Sequence, residues 1–331
     1  HAFIDALSKE LSATVLGDPL QAIFGFAGNQ LVTWQGQVEE CFPAIGALGT
    51  PWRWLNTGTE ALGRWLLEAR GNLLRRQGID LRTAPPQVEW VQLSAATADQ
   101  QRRIAAQTRV TGEEKTVLII GDARNVNGRH QLSSQTPGAT CVERVDLDDL
   151  VSFARSFEMD APDAVDRIVR FAGELMTQVG AANLVARVAT IRRGRARTPP
   201  TPAETAAAEF AQRPNAASMA QLLHHLEQQH NARVFRPDVL RCLRSALRSC
   251  AAGDTNLHEA VIRVREHNRH RCRQVSRRAV GSTQLLKGLE ADVVVITHTD
   301  ALDAPNLYVA LTRGARRLVV CSATPVLTPA A

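Results

Sequence analysis

The sequence predicts an α/β protein with a parallel sheet and a block of helices set between two strand-bearing stretches. Three observations carry that expectation. The first is Ser282–Ile296, where Lys287-Gly288-Leu289-Glu290 runs into Val293-Val294-Val295-Ile296. Four β-branched residues in a row match a strand buried on both faces, the pattern of parallel sheets. The second is the alternation of strand candidates with amphipathic helices over the first half of the chain. The third is the stretch from residue 160 to 270, where helix follows helix with no strand candidate between. A helical block between two β-rich stretches implies an inserted subdomain.

Taken in order, His1–Leu11 reads as a helix with Phe3, Ile4, Leu7 and Leu11 on one face. Ala13–Leu16 reads as a short buried strand, closed by the turn Gly17-Asp18-Pro19. That would place Asp18 and Gln21 at the strand's carboxyl edge, where open α/β sheets bind ligands. A plain turn with Asp18 capping the next helix fits the same residues. Residues 38 to 72 read as helix and loop, and Thr59–Arg70 has Leu62, Leu66 and Leu67 at helical spacing. Trp52-Arg53-Trp54 fits either an aromatic-flanked anion contact or core packing. Strands are expected at Val88–Leu93, Thr116–Ile120 and Cys141–Val145, interleaved with helices at Ala98–Val110 and Asp148–Phe157.

The helical block reads as Pro162–Gly180, Ala203–Gln212, Ser218–Gln229, Arg236–Cys250 and Asn256–His267, interrupted by the Arg-, Thr- and Pro-rich loop Arg193–Pro202. From Arg263 to Arg278 the chain turns basic, as a solvated face or as a surface for phosphates. Asn306–Arg317 reads as one more helix, and Leu318–Cys321 as the last strand. In Ser282–Ile296, Gly288 stands where the backbone needs φ > 0 or close approach to a ligand. A Lys and a Glu beside a buried strand suit a phosphate and a ribose hydroxyl, though a solvated turn fits equally.

At 331 residues the chain can hold about two cores. Its hydrophobic share of 44% and charged share of 22% place it among ordinary globular proteins. The net charge of +6 favours an anionic partner, and nucleic acid is the commonest. No apolar run is long enough to span a membrane, no secretory leader opens the sequence, and a cytoplasmic location is expected. The six cysteines form no C-x-x-C pair and read as reduced. His267, His270 and Cys272 are close in sequence, but arginines fill the gaps, and no metal site is expected there.

Four stretches, in this order, resemble the UvrD/Rep/PcrA-type helicases of superfamily 1. Gly17-Asp18-Pro19-Leu20-Gln21-Ala22-Ile23-Phe24 resembles their motif III, Leu48–Arg53 motif IV, Ser282–Glu290 motif V, and Leu307-Tyr308-Val309-Ala310-Leu311-Thr312-Arg313 motif VI. Motifs V and VI are the specific ones, and the resemblance spans nearly the whole chain. It implies the tail of a first RecA-like domain at residues 1–37, and a second RecA-like domain at 38–158 and 273–331. Between these, it implies an inserted all-helical subdomain at 159–272.

The resemblance also implies roles. Gln21 would sense the γ-phosphate of ATP, Arg53 and Arg313 would contact it, and Asp18, Gly288 and Glu290 would line the nucleotide, Glu290 at the ribose. Phe24 and Phe26 would face bases or a domain interface, and Ser282 and Gln284 the DNA backbone. The implied ligands are ATP and Mg²⁺, with single-stranded or duplex DNA and a repair or nuclease protein as partners. Three departures stand out. Ala27 holds a place often taken by arginine, and Gln284 stands where the family often has His. No P-loop is present: the three lysines are Lys9, Lys115 and Lys287, and Gly112-Glu113-Glu114-Lys115-Thr116 sets two carboxylates where phosphate would sit. The expectation is therefore the rear part of an ATP-dependent DNA helicase or translocase, inactive alone. The rival is a non-catalytic nucleic-acid-binding or regulatory module with a degenerate helicase fold.

Overall fold

The β-branched run forms the strand it predicts: Val293, Val294, Val295 and Ile296 are fully buried, with parallel neighbours on both sides. This emerges from a computed structural model that describes residues 2–23, 34, 38–253, 255–269 and 275–330. The chain divides into two compact units. Unit 1 is His1–Asn125 with Gly281–Ala331, and unit 2 is Val126–Val280.

The first segment of unit 1 carries α1 (Ala2–Glu10), α2 (Glu39–Cys41), α3 (Trp52–Asn56), α4 (Glu60–Leu74), β1 (Ile79–Asp80), β2 (Val88–Gln92), α5 (Ala98–Ala106) and β3 (Val117–Ile120). Unit 2 carries α6 (Val126–Gln135), β4 (Thr140–Cys141), α7 (Asp148–Ser156), α8 (Ala164–Gly173), α9 (Ala181–Arg192), α10 (Pro202–Gln212), α11 (Ala216–Glu227), α12 (Pro237–Ala251) and α13 (Leu257–Asn268). The strand β5 (Arg278–Gly281) runs from unit 2 into unit 1. The second segment of unit 1 adds α14 (Thr283–Leu286), β6 (Ala291–Ile296), α15 (Ala304–Leu311), β7 (Gly314–Ser322) and β8 (Val326–Leu327).

In unit 1 the strand order is β2-β7-β6-β3, all parallel. Asp292 helps to set the register of the central pair. Its Oδ2 accepts from Lys115 N at 2.8 Å, Thr116 N at 3.0 Å and Thr116 Oγ1 at 2.8 Å. Burial opposes its ionisation, but these bonds outweigh it and hold the carboxyl below its usual range. A separate antiparallel pair joins β1 to β8.

Unit 2 is mainly helical, with β4 and β5 paired in parallel. Its helices bury a core that includes Ile168, Phe210, Met219, Leu222, Val239 and Leu243. Reciprocal side-chain caps start two of them, Thr201 with Glu204 at α10 and Asn215 with Ser218 at α11. Among the described residues, no helix is long and apolar enough to cross a membrane.

Several local expectations are corrected. Ala13–Leu16 forms no strand: among the described residues nothing pairs with it, and Leu16 is 78% exposed. β propensity without a neighbouring strand leaves the backbone in water. The segment Pro162–Gly180 is helical only over α8, and α9 follows it unforeseen, because Leu184 and Val188 alone make its buried stripe. α5 stops at Ala106, short of the expected Val110. The helix expected through Arg317 ends at Leu311, and β7 begins already at Gly314. Tertiary bonds override the local pattern there. Trp54 Nε1 donates to Gly314 O at 2.9 Å, Thr59 Oγ1 to Ala315 O at 2.7 Å, and Ala291 N to Arg313 O at 3.0 Å.

Gly314 is also sterically required. A Cβ there would lie 2.5 Å from Leu318 Cδ2 and 3.1 Å from Arg317 O. Gly314→Ala is expected to destabilise unit 1 by about 1–3 kcal/mol, the usual cost of overpacking. Urea denaturation of the two proteins checks this, and an unchanged midpoint would show that the strand start has room.

Candidate functional site

The loop Lys287–Glu290, between α14 and β6, is the hub of the site. Lys287 Nζ donates to Gln21 O at 2.6 Å. Leu289 O accepts from Arg313 Nη1 at 3.3 Å. Glu290 forms an ion pair with Arg53. Gly288 has φ +85°, a left-handed backbone that glycine alone adopts without strain, so the expectation of positive φ holds.

Asp18 caps a short 3₁₀ turn, Pro19–Gln21, by accepting from Leu20 N at 3.2 Å. Pro19 fits the first turn because its fixed φ suits it and its missing N–H would be unpaired there. Arg70 of α4 pairs with the same carboxylate at 3.1 Å, and Tyr308 of α15 lies within its electrostatic reach. Burial, and then the Asp18 charge, push the Tyr308 phenol up to about 12, so it stays protonated. Gln21 Nε2 lies 3.4 Å from Asp18 Oδ2, and Gln284 Nε2 3.4 Å from Ile23 O. The turn is thus tied to α4, α14 and α15 together.

Two guanidiniums face this hub. Arg53, on α3, donates to the Thr312 carbonyl as well as to Glu290, and lies 5.1 Å over the Trp54 ring. Arg313, 5% exposed, donates from Nε to Val309 O at 2.9 Å and from Nη2 to Thr312 Oγ1 at 3.1 Å. Burial, and then the charge of Arg53, lower the Arg313 pKa, while Glu290 works the other way. Arginine nonetheless stays charged in proteins. Two like charges therefore sit within electrostatic reach of each other, and most of their donors meet neutral carbonyls. An anion placed between them would relieve that repulsion.

The structure accordingly brings Asp18, Gln21, Arg53, Gly288, Glu290 and Arg313 into one network, although Gln21 and Arg313 lie at opposite ends of the sequence. Gln284 is exposed beside it. Ser282 is 4% exposed and caps α14 by accepting from Leu285 N at 3.4 Å. Phe24, Phe26 and Ala27 lie outside the described residues. Sequence reasoning missed Arg70 and Tyr308, while Lys287, read as suited to a phosphate, instead donates to the Gln21 carbonyl. The signal for Tyr308 was its position as the one tyrosine of the chain, inside Leu307–Arg313.

A second cluster lies in unit 2, where His130, Cys141 and Glu143 bring ligand-type atoms within 4.8 Å of one another. Arg236 holds both Glu143 oxygens, at 2.7 and 3.1 Å, and a metal would have to displace or share them. Burial pushes the Cys141 thiol far above its usual range, which disfavours the thiolate a metal needs. The cluster therefore reads as an ion-pair network. In the basic run, Arg265 pairs with Glu266 at 2.7 Å and Arg269 with Asp146 at 2.6 Å. Those two guanidiniums are already engaged, while His270, Arg271, Cys272 and Arg273 lie outside the described residues. No protein-family model matches the sequence, and no curated protein matches it.

Proposed function

We propose that the chain is part of an ATP-dependent DNA helicase or translocase, and that the hub in unit 1 is one wall of its nucleotide cleft. The observation that carries this is the convergence of Arg53 and Arg313 on Leu289-Glu290, with Gln21 tied to the same loop. Guanidiniums bind phosphate oxygens in a bidentate fork, and electrostatic stabilisation of the transferring phosphoryl group is the main work of such enzymes. In this reading Arg53 and Arg313 hold the γ-phosphate of ATP, Gln21 reports its presence, and Glu290 turns from Arg53 toward the ribose.

Mg²⁺ supplies charge neutralisation on the β- and γ-phosphates in such chemistry. Asp18 and Glu290, the carboxylates of the network, are engaged by Arg70 and Arg53, so they do not fit as its ligands. The reading needs the P-loop and the Mg²⁺ ligands from a different part of the motor. Its further expectations are movement on single-stranded DNA, duplex unwinding, and a role in repair, recombination or defence against phage.

The second reading, a nucleic-acid-binding or regulatory module without turnover, is favoured by the missing P-loop and by Ala27. ATP turnover by the intact protein, measured with and without single-stranded DNA, separates the two. Turnover stimulated by DNA is expected. DNA binding with no turnover would sink the motor reading and leave the module.

A further inference from the structure

Unit 2 holds a concentrated positive charge outside the candidate site. Between Glu174 and Glu204 the sequence has no Asp or Glu. Within that span, Arg192, Arg193, Arg195 and Arg197 fall in six residues at the junction of α9 and α10, and all four are exposed. Among the described residues, no carboxylate pairs with any of them. Elsewhere in unit 2 arginines find acids: Arg170 pairs with Asp166, and Arg244 with Glu227.

The loop is built to stay in place. Gly194, at φ +67°, ends α9: its N–H donates to Ile191 O at 2.9 Å and that of Arg195 to Thr190 O at 3.1 Å. This paired closure is the Schellman motif. On the far side Arg187 donates to Thr198 Oγ1 at 2.6 Å and lies 3.4 Å from Glu204. The Thr201–Glu204 box then starts α10. Arg192 and Arg193 sit near the negative end of the α9 dipole, which accounts for their tolerance there. Arg195 and Arg197 lie beyond it and have no such compensation.

We infer that this arginine turn is a docking surface for the phosphodiester backbone of nucleic acid, read by charge and not by base sequence. Four guanidiniums on an anchored turn match a regularly spaced polyanion, and each binds phosphate in a bidentate fork. A lipid surface fits less well. Interfacial binding needs apolar side chains beside the basic ones, and between Val145 and Val275 no large exposed hydrophobic residue is described. The inference does not rest on the nucleotide reading of unit 1.

The test measures binding of the full chain to a fluorescent random-sequence DNA duplex and single strand over a salt series. One variant is R192Q/R193Q/R195Q/R197Q. The control is R155Q/R170Q/R241Q/R248Q, which removes the same charge from four dispersed exposed positions. Gln leaves the exposed turn intact, and circular dichroism checks folding. Wild type should lose affinity linearly in log–log salt plots. The loop variant should bind at least about tenfold more weakly, with the slope reduced by about 3–4, near 0.9 per lost contact. The control should keep the wild-type slope. Equal losses in loop variant and control would reduce the effect to bulk charge and overturn the proposal. So would no DNA binding by wild type, or tighter binding to vesicles of 70:30 phosphatidylcholine and phosphatidylserine than to DNA. Failure of ATP turnover would leave it untouched.

Discussion

Arg236→Ala is expected to destabilise unit 2 by about 3–5 kcal/mol, the cost of leaving buried charges without their partner. Arg236 is 1% exposed and holds Glu143 through Nε and Nη2, and Asp149 through Nη2. Truncation would strand the Glu143 carboxylate in the interior, with His130 Nε2 at 3.4 Å and the Cys141 thiol within 4.8 Å. The same interaction has a pH signature. Burial opposes ionisation of Glu143, but His130 and the Arg236 guanidinium outweigh it and hold the carboxyl at about 2. Because the folded value lies below the unfolded one, the stabilisation is complete above about pH 4.5 and drains away as pH falls toward 2. Its size is on the order of 3 kcal/mol, the same interaction seen a second way and not an addition to it. Urea titrations at pH 7, 4 and 3 check both. The double change E143L/R236M should restore much of the stability and flatten the acid dependence, because a well-packed apolar pair can replace a buried ionic one. A single Arg236→Ala protein as stable as wild type would show that water reaches the network.

Under the proposed helicase reading, Arg313→Ala is expected to lower ATP turnover of the intact protein by about 10³-fold or more, the range found when a phosphate-stabilising arginine is removed. Binding to single-stranded DNA should stay within about threefold, since Arg313 is buried against Val309, Leu289 and Thr312 and is not on an exposed face. Loss of its three hydrogen bonds also loosens the start of β7, so Arg313→Lys is needed beside it. Lysine keeps the charge and most of the volume but not the fork. If Arg313 acts on phosphate, lysine should fold normally and still turn over poorly. Normal turnover in either variant would remove the assigned role. Normal folding with lost DNA binding would instead move the residue to a DNA contact.

How much of this was legible in the sequence follows from range. Val293–Ile296 announced its strand because four β-branched residues specify burial on both faces without help from elsewhere. Helices α10 to α13 were legible because long apolar stripes repeat at helical spacing. Gly314–Arg317 was misread because its strand is made by partners far away, Trp54, Thr59 and Ala291, and no local pattern encodes them. The site divides in the same way. Gly288 declared its own backbone. The pairing of Arg53 with Glu290 spans 237 residues, and only a resemblance could place both in one site. The exchange of Glu143 between Arg236 and His130 left no trace in spacing.

The interruption of unit 1 by a contiguous second unit has a kinetic consequence. Thr116 and Asp292 meet across 176 residues, and β7 slots between β2 and β6 although it is made long after β2. A nascent chain therefore carries β2 and β3 with open edges while the whole of unit 2 is being synthesised, and the middle of the sheet arrives last. Closing so long a loop through a disordered chain is slow. The time taken to make unit 2 therefore sets how long those bare edges wait for their partners.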